Sequence, residues 1–330
     1  MDDVRCALPQ RSGRFVVQFR QSIRDRGLSY ATEKTYLHWV LRYIRYNNLQ
    51  HPEKLGCKEI SAFLSDLTVR RQCSASTQRT ALNALVFLYR HHLDIKLPKL
   101  NFRYSRQPRR MPTVFTHEEA LAVIRHLAGV DRLIAGVLYG AGLRINEALR
   151  LRIKDLDFSN LQITVRDGKG GNQRFTLLGR SLVADLRKQV TTAIKLHQFD
   201  LSCGYGSVHL PNALARKYPS AATSPEWQFL FPATTVSTDP LTGVLQRHHR
   251  HYSTFQKAIR SAIRLAGIRR RASSHTFRHS FATRLIETGY DIKLVQSLLG
   301  HQDIRTTEIY LHVVRNRAGA IVSPIDGLAL

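Results

Sequence analysis

The sequence predicts a mainly α-helical chain of two domains, with one small β-sheet or hairpin in the second. Three observations predict it. Apolar residues recur at helical spacing over most of the chain. The period changes only between about residues 161 and 178. A basic, proline-bearing stretch without periodicity, residues 98–113, separates two regions. With 330 residues, 43% of them hydrophobic, there is material for two cores. The expected organisation is an N-terminal helical domain over 1–97, a linker over 98–113 and a second domain over 114–330.

In chain order, Phe15, Val16, Phe19 and Ile23 line one helix face. Tyr36, Val40, Tyr43 and Ile44 line a second, with Ser29 and Thr32 as candidate caps. Cys57–Val69 repeats the pattern through Ile60, Phe63, Leu64 and Leu67, and Ser76–Leu93 through Leu82, Leu85, Val86 and Tyr89. These make about four helices with no strand signal, and Lys34, Arg42, Arg45, Arg79 and Arg90 decorate their polar faces. Thr116 and Glu119 form a capping-box pattern opening the second domain. Residues 133–150 read as helical around Gly140–Gly142. Leu161–Val165 and Gln173–Leu178 are β-prone and are joined by Asp167, Gly168, Lys169, Gly170, Gly171 and Asn172, which predicts a hairpin with a glycine-rich tip. Ser181–Gln198 returns to helix, 199–252 is irregular and rich in Pro, Tyr, Ser and His, 253–314 is helical again, and 315–330 is a tail.

Composition narrows function. The net charge is +26, and both parts contribute: residues 1–113 hold 21 basic and 8 acidic side chains, the remainder 29 and 16. Basic charge spread over two folded regions points to a polyanionic partner, and nucleic acid is the obvious one. The four cysteines (Cys6, Cys57, Cys73, Cys203) are far apart with no CxxC pair, which argues against a disulfide-stapled secreted module. No apolar run approaches a membrane span, and the N-terminus lacks a secretory core. The expectation is a soluble, cytoplasmic protein.

The strongest local chemical signal is His275-Thr276-Phe277-Arg278-His279. On a helix His275 and Arg278 share a face, where a planar guanidinium can bind two phosphate oxygens and an imidazole can move a proton. His275 and His279 also have the spacing of a helical zinc pair, but Thr276 stands where a zincin carries its glutamate, which argues against a metalloprotease. Around this run stand Tyr139-Gly140-Ala141-Gly142-Leu143-Arg144-Ile145-Asn146-Glu147 upstream and Leu298-Leu299-Gly300-His301, Thr306-Thr307 and Tyr310 downstream, with Lys169 between. The ordered set Arg, Lys, His-x-x-Arg, His, Tyr resembles the tyrosine recombinase (phage integrase) family over essentially the whole chain.

That resemblance implies a helical, SAM-like core-binding domain and a mixed α+β catalytic domain forming a C-shaped DNA clamp. It implies cleavage and rejoining of DNA through a 3′-phosphotyrosyl intermediate. Tyr310 would be the nucleophile, Arg144 and Arg278 would clamp the phosphate, and Lys169 would be the general acid. His275 would act in proton transfer, His301 would hydrogen-bond the phosphate, and Glu147 would orient a cationic neighbour. No metal or other cofactor is implied, since cationic side chains supply the electrostatics. The stretch between Lys169 and His275 is long, and its Leu210–Pro219 segment, Trp227, Phe229–Pro232, Asp239-Pro240 and Arg247-His248-His249 look like the insertion, around 195–252, that marks integron integrases.

An integron integrase would recombine gene cassettes between folded single-stranded attC sites and double-stranded attI. Tyr218, Trp227, Pro240, His248 and His249 match family positions that surround the unpaired bases of such a strand, while Arg166 falls where some relatives carry an aromatic. The apolar segment Val313–Ile325 would dock on a neighbouring subunit of a homotetrameric synapse, with a monomer in free solution. Two alternatives stay open: a double-strand-specific Xer- or phage-type recombinase, and a catalytically silent DNA-binding protein on the same fold.

Overall fold

The structure, a computed structural model, describes residues 13–98, 100–102, 104, 111–166, 173–210, 214–239 and 243–315. The chain divides into two compact units, the second beginning at Met111.

The first unit is built from α1 (Arg14–Asp25), α2 (Tyr30–Tyr46), α3 (Cys57–Val69) and α4 (Ala75–Phe87). Ser29 and Ser74 cap α2 and α4, each hydroxyl accepting from a backbone N–H three residues on. Phe19, Ile23, Val40, Ile60, Leu64 and Leu85 bury completely between the helices. Two tyrosines share this core because their hydroxyls are partnered: Tyr43 and Tyr89 lie 3.1 Å apart, and Tyr89 donates to the Pro52 carbonyl at 2.9 Å. The buried Glu33 carboxylate receives Arg20 and Arg24, which holds α1 on α2. The helix expected over 76–93 ends its α-helical course at Phe87 and widens into a π-helical turn over Leu88–His92. That turn places Tyr89 inside and Arg90 outside.

The second unit opens on α5 (His117–Arg125), whose N-terminus is closed reciprocally by Thr116 and Glu119. Then follow α6 (Gly129–Ala141) and α7 (Ile145–Leu149). The helical region expected over 133–150 is therefore two helices that meet at a turn. Gly142 takes φ +64°, and a Cβ there would meet the Phe281 ring at 2.3 Å, so the glycine allows both the left-handed turn and the close approach of the later helix.

An antiparallel sheet of β1 (Leu156–Asp157), β2 (Gln162–Arg166) and β3 (Gln173–Leu177) comes next, in the order β1-β2-β3. The two-residue β1 was not expected from the sequence. The hairpin tip, including Lys169, lies outside the described residues. Ile163 and Val165 turn inward and Phe175 and Leu177 outward, as the strand period of two requires.

After α8 (Val183–Ser202), the irregular region holds a short α9 (Leu214–Lys217), single 3-10 turns, and a two-stranded ribbon of β4 (Ser237–Thr238) and β5 (Leu245–Gln246). It is anchored rather than loose: the Arg247 guanidinium grips Asp200 on α8 with two bonds of 2.7 Å, and backbone bonds join Leu230 to Leu151 and Ile153 to Gln228. The last part, expected to be helical over 253–314, is built from four helices: α10 (Tyr252–Leu265), α11 (Ser274–Glu287), α12 (Ile292–Leu299) and α13 (Arg305–Arg315). The buried α11 packs on α6 and on α13, contributing Phe277 to the main core and Phe281 to a smaller one.

Candidate active site

Two helix boundaries set the geometry. Arg144 is the residue capping α7, and Glu147, at its third position, accepts the Arg144 backbone N–H at 2.8 Å and its guanidinium at 2.7 Å. The same carboxylate receives Arg174 of β3 through two bonds of 3.1 and 2.7 Å. Arg278, on α11, lies 3.6 Å away, so three guanidinium groups surround one carboxylate that is about 10% exposed. Burial alone would raise the Glu147 carboxyl, but Arg174, the Arg144 N–H and Arg278 together hold it below the usual carboxylate range.

Arg278 is buried to 1% exposure and donates to the carbonyls of Gly142 at 2.7 Å and Leu299 at 2.6 Å. Those carbonyls belong to the two turns around Gly142 and Gly300, so the buried cation links the end of α6 to the end of α12. Burial first, and Arg144 second, lower its pKa to about 10, and it stays charged at neutral pH. Gly300 has φ +65°, and a Cβ there would meet Cδ of Arg174 at 2.6 Å. The next residue, His301, thereby enters the same cluster.

Three histidines complete it. His275 sits in the first turn of α11, and desolvation of the ring, then Arg278 and Arg144, disfavour its protonation. His301 contacts the Thr307 hydroxyl through Nδ1 at 2.9 Å, and burial followed by the nearby arginines lowers it to about 4. His279 stands with its ring perpendicular to that of His275, the centroids 4.5 Å apart. Its Nδ1 is 2.9 Å from the hydroxyl of Tyr310, on α13. Tyr310 is 1% exposed among Phe281, Ala282, Val295 and Leu299; burial raises its phenol and the Arg278 and Arg144 charges oppose the rise.

Arg144, Glu147, His275, Arg278, His301 and Tyr310, separated by up to 166 positions in sequence, thus converge in one cluster. Lys169 is outside the described residues. Arg174 and His279 were not singled out as site residues from the sequence. Arg174 had no local signal, because its partners are 27 and 124 residues away. His279 was visible only as half of a metal-like pair. Among the described residues, no group of three His, Cys, Asp or Glu side chains is placed to hold a metal ion. An arrangement of two arginines and imidazoles beside a tyrosine hydroxyl suits attack on a phosphodiester: the cations stabilise a phosphorane, and the phenol is close to both charge and proton acceptors.

The insertion residues occupy graded positions. Tyr218 is about half exposed and Trp227 half-buried, with the Lys154 ammonium over its ring and the Arg152 guanidinium bonded to its carbonyl. Burial pushes Lys154 down to about 8. His248 is half-buried against Phe229 and is held neutral chiefly by burial, while His249 is buried behind it, ring centroids 4.0 Å apart, with Nδ1 on the Arg250 carbonyl. Arg166 pairs with Asp155 at 2.9 Å. Pro240 lies outside the described residues.

Comparison with known proteins adds to this geometry. Residues 113–317 match the model of the phage integrase family, and residues 15–99 that of the phage integrase N-terminal SAM-like domain. An integrase/recombinase of Escherichia coli is 46% identical over 321 residues, covering 97% of this chain and 95% of its own; one of Pseudomonas aeruginosa gives the same figures. The tyrosine recombinase XerD of Oceanobacillus iheyensis is 26% identical, with 89% and 91% covered. Among solved structures, XerH recombinase bound to a palindromic difH substrate aligns with a TM-score of 0.61 at 22% identity, covering 90% of this chain and 80% of that one. A lambda integrase tetramer bound to a Holliday junction aligns at 0.62 and 16%, covering 89% and 75%, so both share the fold.

Proposed function

The chain belongs to the phage integrase family of tyrosine recombinases, and from that premise we propose that it cleaves and rejoins DNA through Tyr310, exchanging gene cassettes between folded single-stranded attC sites and double-stranded attI. It is a site-specific recombinase with a mostly helical, two-domain architecture. In the proposed reaction the Tyr310 oxygen attacks the scissile phosphorus and a 3′-phosphotyrosyl bond forms as the 5′-oxygen leaves. Arg144 and Arg278 neutralise the non-bridging oxygens, His301 hydrogen-bonds the phosphate, His275 serves proton transfer, and Lys169 protonates the leaving oxygen. Glu147 orients the arginines. The observation that carries this reading is the Tyr310 hydroxyl held beside a cluster of arginines locked on one carboxylate.

The chain would act on DNA as a homotetramer and be monomeric when free. Residues 1–97 would hold the core of the site, 98–113 would be the linker, and 114–330 would carry the chemistry. The segment expected to dock on a neighbour, Val313–Ile325, has no described side chains.

Single-strand recognition is supported by the anchored insertion, which presents Tyr218, Trp227 and His248 with cationic Lys154 over the indole. His249, being buried, would act by backing His248, and Pro240 would complete the contacts. Base stacking is worth about 1–3 kcal/mol per base. Trp227→Ala should therefore weaken binding of a folded attC strand about 5- to 150-fold, and have no effect on the same strand lacking its unpaired bases. Equal weakening of both would sink the reading. The second reading, duplex recombination, has its support in the similarity to XerD along most of both chains.

A further inference from the structure

Resting on the reading of Tyr310 as nucleophile, we propose that His279 is a further catalytic residue, the base that takes the phenolic proton as the Tyr310 oxygen attacks phosphorus. The geometry comes first. His279 follows Arg278 on α11, and its Nδ1 is 2.9 Å from the Tyr310 hydroxyl, within reach of direct proton transfer. The two rings are tilted 53° with centroids 5.6 Å apart, so the imidazole meets the hydroxyl with its nitrogen edge rather than its face. Tyr310 is buried, which leaves little room for water to compete for that proton.

Charge fixes the resting state of the ring. The titratable and charged neighbours of His279 are His275 and Arg278 on α11, His301 after α12, and Tyr310 on α13. Burial first, and the first three of these next, lower His279 to about 4. At neutral pH the ring is therefore uncharged, with one nitrogen free of a proton; in the tautomer that carries its proton on Nε2, the Tyr310 hydroxyl donates to Nδ1, and this is the form the proposal uses. Arg278, which helps to keep the imidazole neutral, also acts with Arg144 against the burial that raises the phenol.

The step balances. The Tyr310 O–H bond breaks and its proton passes to Nδ1; the Tyr310 oxygen bonds to phosphorus; the bond from phosphorus to the 5′-oxygen breaks; that oxygen takes a proton from Lys169. Rejoining reverses each transfer, and His279 returns its proton to Tyr310. His275, exposed at the start of the helix, remains available on the phosphate side.

The test uses the full-length protein and a folded attC strand, with either an ordinary scissile phosphate or one with sulfur at the bridging 5′-position. Sulfur leaves without an acid, so it isolates activation of the nucleophile. His279→Asn keeps an acceptor near Nδ1 but cannot take a proton at neutral pH. Adduct formation should fall about 10²- to 10⁴-fold on both substrates. The deficit should shrink as pH rises from 7 to 9, because the small phenolate fraction that needs no base grows with pH, whereas Lys169→Ala should be rescued by sulfur. A wild-type rate, a deficit independent of pH, or rescue by sulfur would overturn the proposal while leaving Tyr310 as nucleophile. No Tyr310-dependent adduct from the wild type, on folded strand or duplex, would overturn both. Independently of activity, ¹⁵N-histidine spectra should show one Nδ1 resonance that is lost in His279→Asn and displaced in Tyr310→Phe; a resonance unmoved by Tyr310→Phe counts against the contact.

Discussion

At Glu147 one carboxylate faces Arg144, Arg174 and Arg278. Replacing it by glutamine would leave three cations in a confined site without their counter-charge. Glu147→Gln should cost about 3–5 kcal/mol, the usual penalty for breaking a buried ionic network, and a denaturant titration of the second unit measures it. Its covalent capture should fall as well, because the phosphate-binding arginines lose their common anchor. The histidines make a second prediction at this scale. His279 and His301 titrate near 4 in the fold, against about 6.5 in an unfolded chain. Between those values the unfolded chain binds more protons, so stability should rise as pH increases from 4 to 6.5 and then level off. Thermal unfolding across that range checks the slope, and His301→Asn should flatten it.

The elements show how far local pattern reaches. The helix expected at Cys57–Val69 is found with those ends, because Ile60, Phe63, Leu64 and Leu67 all face one core. The hairpin was legible from β-branched runs flanking Gly168, Gly170 and Gly171. Where a helix ends inside a helical region, an element distant in the chain decides: Phe281 presses on Gly142, and Arg174 presses on Gly300, contacts no local period encodes. The ordered order of Arg144, His275, Arg278, His301 and Tyr310 could be read as a motif. Arg174 and His279 could not be read as members, since each is defined by a partner distant in the chain. Gly300→Ala tests the element scale. A left-handed alanine costs about 1–2 kcal/mol, and the added methyl must also displace Arg174, so melting temperature and capture should fall together. A similar argument holds for Asp200→Asn, which loosens the pin on Arg247 ahead of His248 and should weaken folded-strand binding more than it lowers stability.

At the scale of the whole molecule, charge and family coincide. A net charge of +26 spread over both parts of a recombinase predicts that DNA binding loosens steeply with salt. The logarithm of affinity should fall linearly with that of salt concentration, with a slope of about 0.7–0.9 per phosphate neutralised. Arg144→Ala should reduce that slope by about one such contact. Among the described residues no helix is long and apolar enough to cross a membrane.

Covalent capture shows at once whether Tyr310 is the nucleophile and which form of the site it attacks. Each strand of an attC site, folded as a hairpin, is offered beside the same site as full duplex, to the wild type and to Tyr310→Phe. The expected result is an adduct that depends on Tyr310 and forms mainly with one folded strand. Adducts with the duplex alone would contradict single-strand recognition, and binding without any adduct, on a site cleaved by an active relative, would contradict the chemistry assigned to Tyr310.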